Sequence, residues 1–380
     1  MYFIGKEYVY IMKKGSVPKY LELMNWIRGQ IANGDLCIGD RLQSENELGE
    51  KFSISRQTVR QATSVLENEG ILERRRGSGT YIAATMAVPK SRTMNIGVIT
   101  TYLDDYIFPS IIKGIDNVLT QNGYIMQLSI TYNKIENEMK ILSSMLNNGV
   151  DGIIIEPTKS GLPNLNVDLF RQIKKHGIPC IFINGYYADL SFPYVAMDDY
   201  VCGQEAAKYL VNKHHTKIAG IFKSDDIQGH LRYAGCAKML KKHSILLYED
   251  NVVWYTTEDI KASFADNFAQ RVLSRIEGCS AVVCYNDQIA LKVIDILARN
   301  QKEVPRDISI ISFDNSDLGT GANIGLTTFS HPKAELGKVA ATNLIRLINH
   351  EHFDANVKFK PELVVRNSIL NFSTILLPNK

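Results

Sequence analysis

The chain has 380 residues, 45% of them hydrophobic and 22% charged, which is enough for two or three globular domains that each bury a core. A formal net charge of +3 excludes a uniformly basic nucleic-acid binder, so any surface for nucleic acid must come from local clustering. No apolar run reaches the roughly eighteen residues of a membrane span, and the N-terminus lacks the features of a secretory signal, so a cytoplasmic protein without a membrane partner is expected. Residues 1–15 show no periodicity that continues into the next segment, and Met12 offers a second translation start; the first part is read as an extension that is not integral to the fold. From Lys19 to about Ala32 a helix presents Tyr20, Met24, Ile27 and Ile31 on one face and ends at Asn33-Gly34. Ser44-Glu45-Asn46-Glu47 fits a capping box that opens a short helix to about Phe52. After a tight turn, Ser55 caps a longer helix with Val59, Ala62 and Leu66 inside, ending at Gly70. Leu72–Arg75 and Thr80–Ile82 then read as two strands around Arg76-Gly77-Ser78-Gly79, a hairpin by its turn chemistry.

This order of three helices and a hairpin over 16–84 predicts a small α+β winged helix-turn-helix. Residues 85–94, with Pro89 and little apolar pattern, read as a linker. From Asn95 to the C-terminus short β-branched runs alternate with helical patterns: NIGVIT, YIMQLSI, DGIIIE, IPCIFIN, KIAGIF, AVVCY and ISIISF. Continuous apolar strands separated by helices predict parallel sheets covered on both faces, and the length of 95–380 predicts two such lobes. The cysteines Cys37, Cys180, Cys202, Cys236, Cys279 and Cys284 are scattered without a C-x-x-C pair or a histidine at metal spacing; they read as reduced core thiols, with no metal and no cofactor expected.

In a helix-turn-helix the second helix enters the major groove. On the helix from Ser55 the outward residues are Arg56, Gln57, Arg60 and Gln61, side chains that read guanine and adenine edges bidentately. Arg74, Arg75 and Arg76 sit on the wing, suited to phosphates or the minor groove. Together with SRQTVRQA, LENEGIL and RRGSGTYI, this region resembles the GntR family of winged-helix regulators over about 18–84. One departure is Gln43, where the family usually carries proline. The resemblance implies contacts to double-stranded operator DNA from Lys19, Arg41, Ser44, Glu45, Arg56, Gln57, Thr58, Arg60, Gly77, Ser78 and Gly79.

In parallel α/β lobes ligands bind beyond the carboxyl ends of the strands. Those ends carry Tyr102, Asp105, Tyr106, Glu156, Asn184, Lys223, Asn286, Asp287 and Asp314, and carboxylates, amides and tyrosine rings suit a polyol or sugar. Two readings stand for each residue, ligand contact or helix cap, the latter open to Asp199 and Asn286. Glu156 and Lys223 have the further alternative of pairing as a surface bridge, and His331, before Pro332, that of capping a helix.

Residues 95–380 resemble the effector domains of the LacI and GalR repressors and the periplasmic sugar-binding proteins, through the DGII strand, R-x-x-G at Arg232–Gly235, NDQIA after CY, and SFDN. This resemblance implies ligand contacts at Arg232, Asn286 and Asp314. TTYLDDYIFPSIIKGI, IIEPTKS, GIFKSDDIQG, VCYNDQIALKVIDIL, HPKAELGK and PELVVRNS are similar to the arabinose-responsive AraR repressors of bacilli, which join a GntR head to a LacI-type body. The implied protein is a homodimeric, non-enzymatic repressor of sugar-utilisation genes, released from its operator by a sugar, with L-arabinose the expected effector and a hexose, nucleoside or phosphosugar the alternative. The sequence carries no G-x-S-x-G, no P-loop and no G-x-G-x-x-G after a strand, which disfavours an enzyme.

Overall fold

The computed structural model describes residues 18–32, 35–83, 92–103, 107–261, 265–317 and 324–372. The extension expected at 1–15, most of the linker expected at 85–94, and Asp105 and Tyr106 lie outside them. The chain forms two compact units that divide between Arg92 and Thr93.

The head contains α1 (Lys19–Ala32), α2 (Glu45–Phe52), α3 (Arg56–Asn68), β1 (Leu72–Arg75) and β2 (Gly79–Ile82). At the start of α2 the Ser44 hydroxyl accepts from the Glu47 amide while the Glu47 carboxylate accepts from the Ser44 amide, so two otherwise orphaned donors are satisfied. Ser55 caps α3 by accepting from Thr58 N at 3.2 Å. The α3 face carrying Val59, Ala62 and Leu66 meets Leu23, Met24 and Ile27 of α1 in an apolar core, while Tyr20 and Ile31 are only half-buried. β1 and β2 pair antiparallel from Leu72 against Ile82 to Arg75 against Gly79, and Gly77 and Gly79 adopt positive φ in the turn and at its exit.

The body is two α/β lobes. The first sheet contains β3 (Asn95–Thr100), β4 (Ile125–Ile130), β5 (Gly152–Ile155), β6 (Cys180–Ile183), β7 (Tyr194–Met197) and, at its edge, a strand from late in the chain, Val357–Phe359. Its helices are α4 (Phe108–Gln121), α5 (Ile135–Asn148), α6 (Val167–Lys175) and a late helix, Lys333–Ile348. The chain then crosses to the second lobe with α7 (Asp199–Asn212), β8 (Ile218–Lys223), α8 (Ile227–Lys242), β9 (Val252–Tyr255), α9 (Ala265–Arg275), β10 (Ala281–Cys284), α10 (Asp287–Arg299), β11 (Ser309–Asp314) and β12 (Thr327–Ser330). It returns to the first lobe for the late pair, α11 (Lys333–Ile348) and β13 (Val357–Phe359), and crosses back to end the second sheet with β14 (Leu363–Val364).

The sheet orders are β13-β7-β6-β5-β3-β4 and β14-β12-β11-β10-β8-β9, parallel throughout except for β12 with β14. Every residue of β5, β6 and β10 is buried, as expected for strands covered on both faces, which is why they read as unbroken apolar runs. Two glycines set the geometry of the second lobe. A Cβ at Gly203 would lie 2.1 Å from the Arg232 carbonyl oxygen, and one at Gly235 would lie 2.0 Å from that of Tyr200. Helices α7 and α8 therefore pack backbone to backbone, and this contact fixes where Arg232 starts.

Candidate nucleic-acid interface and effector cleft

On the head, Arg56, Gln57, Arg60 and Gln61 are exposed along α3, the face left over once the apolar stripe is buried. Glu45 lies beside them and binds two arginines: Arg60 Nε at 2.8 Å and Arg74 Nη2 of the wing at 3.0 Å. Arg74 also approaches Glu67 at 3.5 Å, and the Arg75 guanidinium covers the Tyr81 ring. Arg41 bridges to Tyr81 through its backbone, and its side chain crosses Gly79, where a Cβ would meet the guanidinium at 2.9 Å. Arg41, Ser44, Glu45, Arg74, Arg75, Arg76, Gly77 and Gly79 thus surround a single notch between wing and helices. Ser44 and Thr58 also have structural partners, in the capping box and on Ser55 Oγ. Ser78 pairs with the Tyr81 hydroxyl, and Lys19 with Glu22. Arginine and glutamine side chains have the chemistry to bond base edges, and the basic groups of the notch that to bond phosphates.

In the body, a cavity of about 360 Å³ opens between the carboxyl ends of the two sheets. The first lobe supplies Thr101, Tyr102, Ile107, Phe108 and Glu156; the second supplies the rest, including Lys223, Asp226, Gln228, Arg232, Tyr255, Thr257, Tyr285, Asn286 and Asp314. Of the expected residues, Tyr102, Glu156, Lys223, Arg232, Asn286 and Asp314 are brought together here. Asn184 stands one layer behind, its amide donating to Glu156 Oε1 at 2.9 Å.

Glu156 follows β5. Its carboxylate accepts from the Thr101 amide at 2.9 Å and from the Thr101 hydroxyl, and burial pushes its pKa up to about 7 against the hydrogen bonds that favour the charge. Lys223 ends β8 and binds Asp226 at 2.7 Å, with Asp225 at 3.8 Å. Burial opposes its charge, but the two carboxylates outweigh it and hold its pKa above the ordinary value. Glu156 and Lys223 do not form the surface bridge open to them in the sequence, because each is buried with its own partners.

Arg232 donates to Asp199 at 2.8 Å and to the Tyr285 carbonyl at 2.5 Å, lies 3.7 Å from Asp314, and covers the Tyr285 and Phe313 rings. Asp199 is therefore not a helix cap: Asp198 caps α7, leaving Asp199 to bind Arg232, and burial lifts the Asp199 pKa to about 6 although Arg232 opposes this. Asn286 is both cap and wall, accepting from Ile289 N while lining the cavity. At the end of β11 the chain takes φ of 97° at Asp314 and 42° at Asn315, conformations that cost energy without glycine. Arg366 and Lys333 hold Asn315 at 2.7 Å each, which fixes the turn that sets Asp314 at the cavity.

Two expected residues lie elsewhere. Asp287 is fully buried and spends its carboxylate on the hydroxyls of Ser312 and Thr328 and the amide of Ser316, so it ties α10 to β11 and β12 rather than lining the cavity. One residue along the helix from Asn286, its side chain points into the sheet. His331 neither caps α11 nor lines the cavity; it is buried with both ring nitrogens lacking a hydrogen-bond partner, and burial depresses its pKa to about 4. Asp226, Gln228, Tyr255, Thr257 and Tyr285 line the cavity without being singled out by the sequence. The alternating strand–helix pattern places Tyr255 at a strand end once VVWY is taken as β9, and Tyr285 follows directly on the apolar run AVVC.

Residues 19–82 match the bacterial regulatory proteins of the gntR family, and residues 207–369 match a periplasmic binding protein-like domain. The body is also similar to the crystal structure of the transcription regulator CcpA of Lactococcus lactis, with a TM-score of 0.65 and 26% identity over 73% of this chain and 100% of that one. A winged helix joined to such a body defines a DNA-binding transcription regulator with a ligand cleft. Over nearly its whole length the chain is 36% identical to the arabinose metabolism transcriptional repressors of Halalkalibacterium halodurans, covering 92% of this chain and 96% of that one, and of Geobacillus stearothermophilus, covering 94% and 99%. The chain belongs to this family of arabinose metabolism transcriptional repressors, which are DNA-binding regulators and not enzymes.

Proposed function

We propose that the protein is a cytoplasmic homodimer that grips a pseudo-palindromic operator with one winged helix per half-site and lets go when L-arabinose occupies the cleft. The observation that carries this reading is the cleft's inventory of fixed, paired hydrogen-bonding groups between two lobes, on the same chain as an exposed Arg56-Gln57-Arg60 readout face. Adjacent sugar hydroxyls need donor and acceptor in pairs, and Asn286, Asp226, Glu156 and Arg232 supply both. The names of the two relatives support arabinose as that sugar. A phosphosugar fits less well, because Lys223 and Arg232 are each already engaged by two carboxylates.

Closure of the lobes around the sugar would alter the spacing of two heads in a dimer. A coupling of about 1 to 3 kcal/mol gives a release factor of about 5 to 150, sufficient for induction. The test is fluorescence anisotropy of labelled operator with the full-length protein, titrated with L-arabinose, D-xylose, D-ribose and D-glucose, beside sedimentation of the protein alone. Release by L-arabinose at the lowest concentration is expected. Release by another sugar alone would reassign the effector, and tighter binding with sugar would reverse the direction.

A further inference from the structure

Beside the cavity, and sharing Thr257 with its wall, the two lobes are joined by direct protein contacts. Lys159, in the loop after β5 of the first lobe, reaches Glu258 at 2.9 Å and Asp225 at 3.3 Å, both on the second lobe. Its own amide donates to Asn133 Oδ1 at 2.8 Å, and the Asn133 amide group crosses to Thr257 Oγ1 at 2.7 Å. Thr257 in turn donates to Asp225 twice, from its amide at 3.0 Å and its hydroxyl at 2.7 Å. The backbones meet as well: Gly161 N donates to the Asp225 carbonyl at 3.1 Å, and Ile227 N to Ser160 Oγ at 3.0 Å.

Three features mark this seam as built rather than incidental. Asp225 is fully buried, so a carboxylate there is tolerated only with cations at hand, and one of the two that serve it comes from the opposite lobe. Gly161 cannot carry a side chain in this position, since a Cβ would lie 2.5 Å from the Ser224 carbonyl and 2.9 Å from the Asp226 amide. Lys159 and Asn133 are both held at positive φ, 48° and 52°, a conformation that a lysine keeps only where its surroundings determine it.

We infer that Lys159, Asn133 and the Ser160-Gly161 backbone form an inter-lobe clasp that stabilises the closed cleft by itself and so sets how much sugar the repressor needs. Lys159 is a positioning residue: it neutralises Asp225, whose other cation, Lys223, lines the cavity. The apparent affinity of a ligand scales with the fraction of protein already in the binding-competent state, so weakening the clasp weakens the sugar without touching a sugar contact. The inference rests on the cleft being the sugar site, and its test separates the two.

In full-length protein, Lys159→Met is expected to raise the L-arabinose concentration for half-release of operator by about tenfold. Operator affinity without sugar should stay unchanged or tighten, and Lys159→Arg, which keeps the cation, should return to within about threefold of wild type. Hydrogen exchange without sugar gives an independent reading, because the amides of Lys159, Gly161 and Ile227 bond across the seam or at its edge. Peptides covering 158–162 and 225–228 should exchange faster in Lys159→Met and in Gly161→Ala than in wild type. Wild-type half-release together with unchanged exchange in Lys159→Met overturns the clasp. If wild type ignores L-arabinose, the effector assignment fails and the exchange data alone decide. Should Lys159→Met not fold, Glu258→Gln removes the outer arm from a half-exposed position, and the same exchange comparison applies.

Discussion

Two ion pairs of the same length divide the molecule. Glu45–Arg60 on the head and Asp199–Arg232 in the cleft both measure 2.8 Å, yet the Arg60 side chain is 64% exposed and that of Arg232 3%. An exposed pair gains little, because water competes for both partners, whereas a buried pair is held by the cost of separating it. The head thus keeps its charges available to a polyanion. In the cleft the charges are held by partners within the protein itself, an arrangement that lowers the reorganisation a ligand would demand.

The sharpest way to break the comparison is to remove one arginine from each side. Arg232→Ala should destabilise the protein by about 3 to 5 kcal/mol in denaturant unfolding, since Asp199 and Asp314 would be left buried without their cation. Sugar binding should go with it. A loss below about 1 kcal/mol would mean that water enters and the cleft is less closed than its burial implies.

Next in size is the pH response of Glu156. Its folded pKa, about 7, stands above the ordinary glutamate value, so the folded state holds this proton more tightly than the unfolded chain does. Its contribution is therefore fully present below about pH 4.5 and is lost as pH rises through about 7. Glu156→Gln, which cannot ionise, should erase that part of the stability decline between pH 5 and 7.5, a difference of about 2 kcal/mol. Parallel pH profiles for the two proteins would contradict it. The Arg56→Ala variant belongs to the other region: about 1 to 3 kcal/mol of specific operator affinity should disappear in anisotropy with an unchanged unfolding midpoint.

The same contrast explains what is legible in the sequence. In the head the signals are local. Ser44 with Glu47, Ser55 with Thr58 and the glycines of the wing each act within a few residues, and the elements fall where those signals place them. In the body, the fully buried strands are legible because they are apolar throughout. Strands β7 and β12, each second from a sheet edge, and the short edge strands β13 and β14 are not, and neither is the return of α11 and β13 to the first lobe, which no local pattern records. The site suffers in proportion. Asp287 and Asn286 are neighbours with opposite fates, decided by which side of α10 faces the sheet, and Asp199 changes from cap to counter-ion because α8 packs against α7 through Gly203 and Gly235.

The smallest expected effect tests the head's side of the comparison most directly. Glu45→Ala removes the acceptor shared by Arg60 and Arg74, and both pairs are exposed enough that stability should fall by less than about 1 kcal/mol. The consequence lies in binding. With Glu45 gone, one negative charge leaves the surface facing the polyanion and two guanidinium groups lose the group that orients them. Non-specific DNA affinity should therefore rise by a few-fold, and the margin between operator and random DNA should narrow. Anisotropy on both DNAs at two salt concentrations reads this directly. A fall in operator affinity of about 1 to 3 kcal/mol with non-specific binding unchanged would instead mean that Glu45 accepts from a base edge itself, and that the head too holds a residue fixed for its ligand in advance.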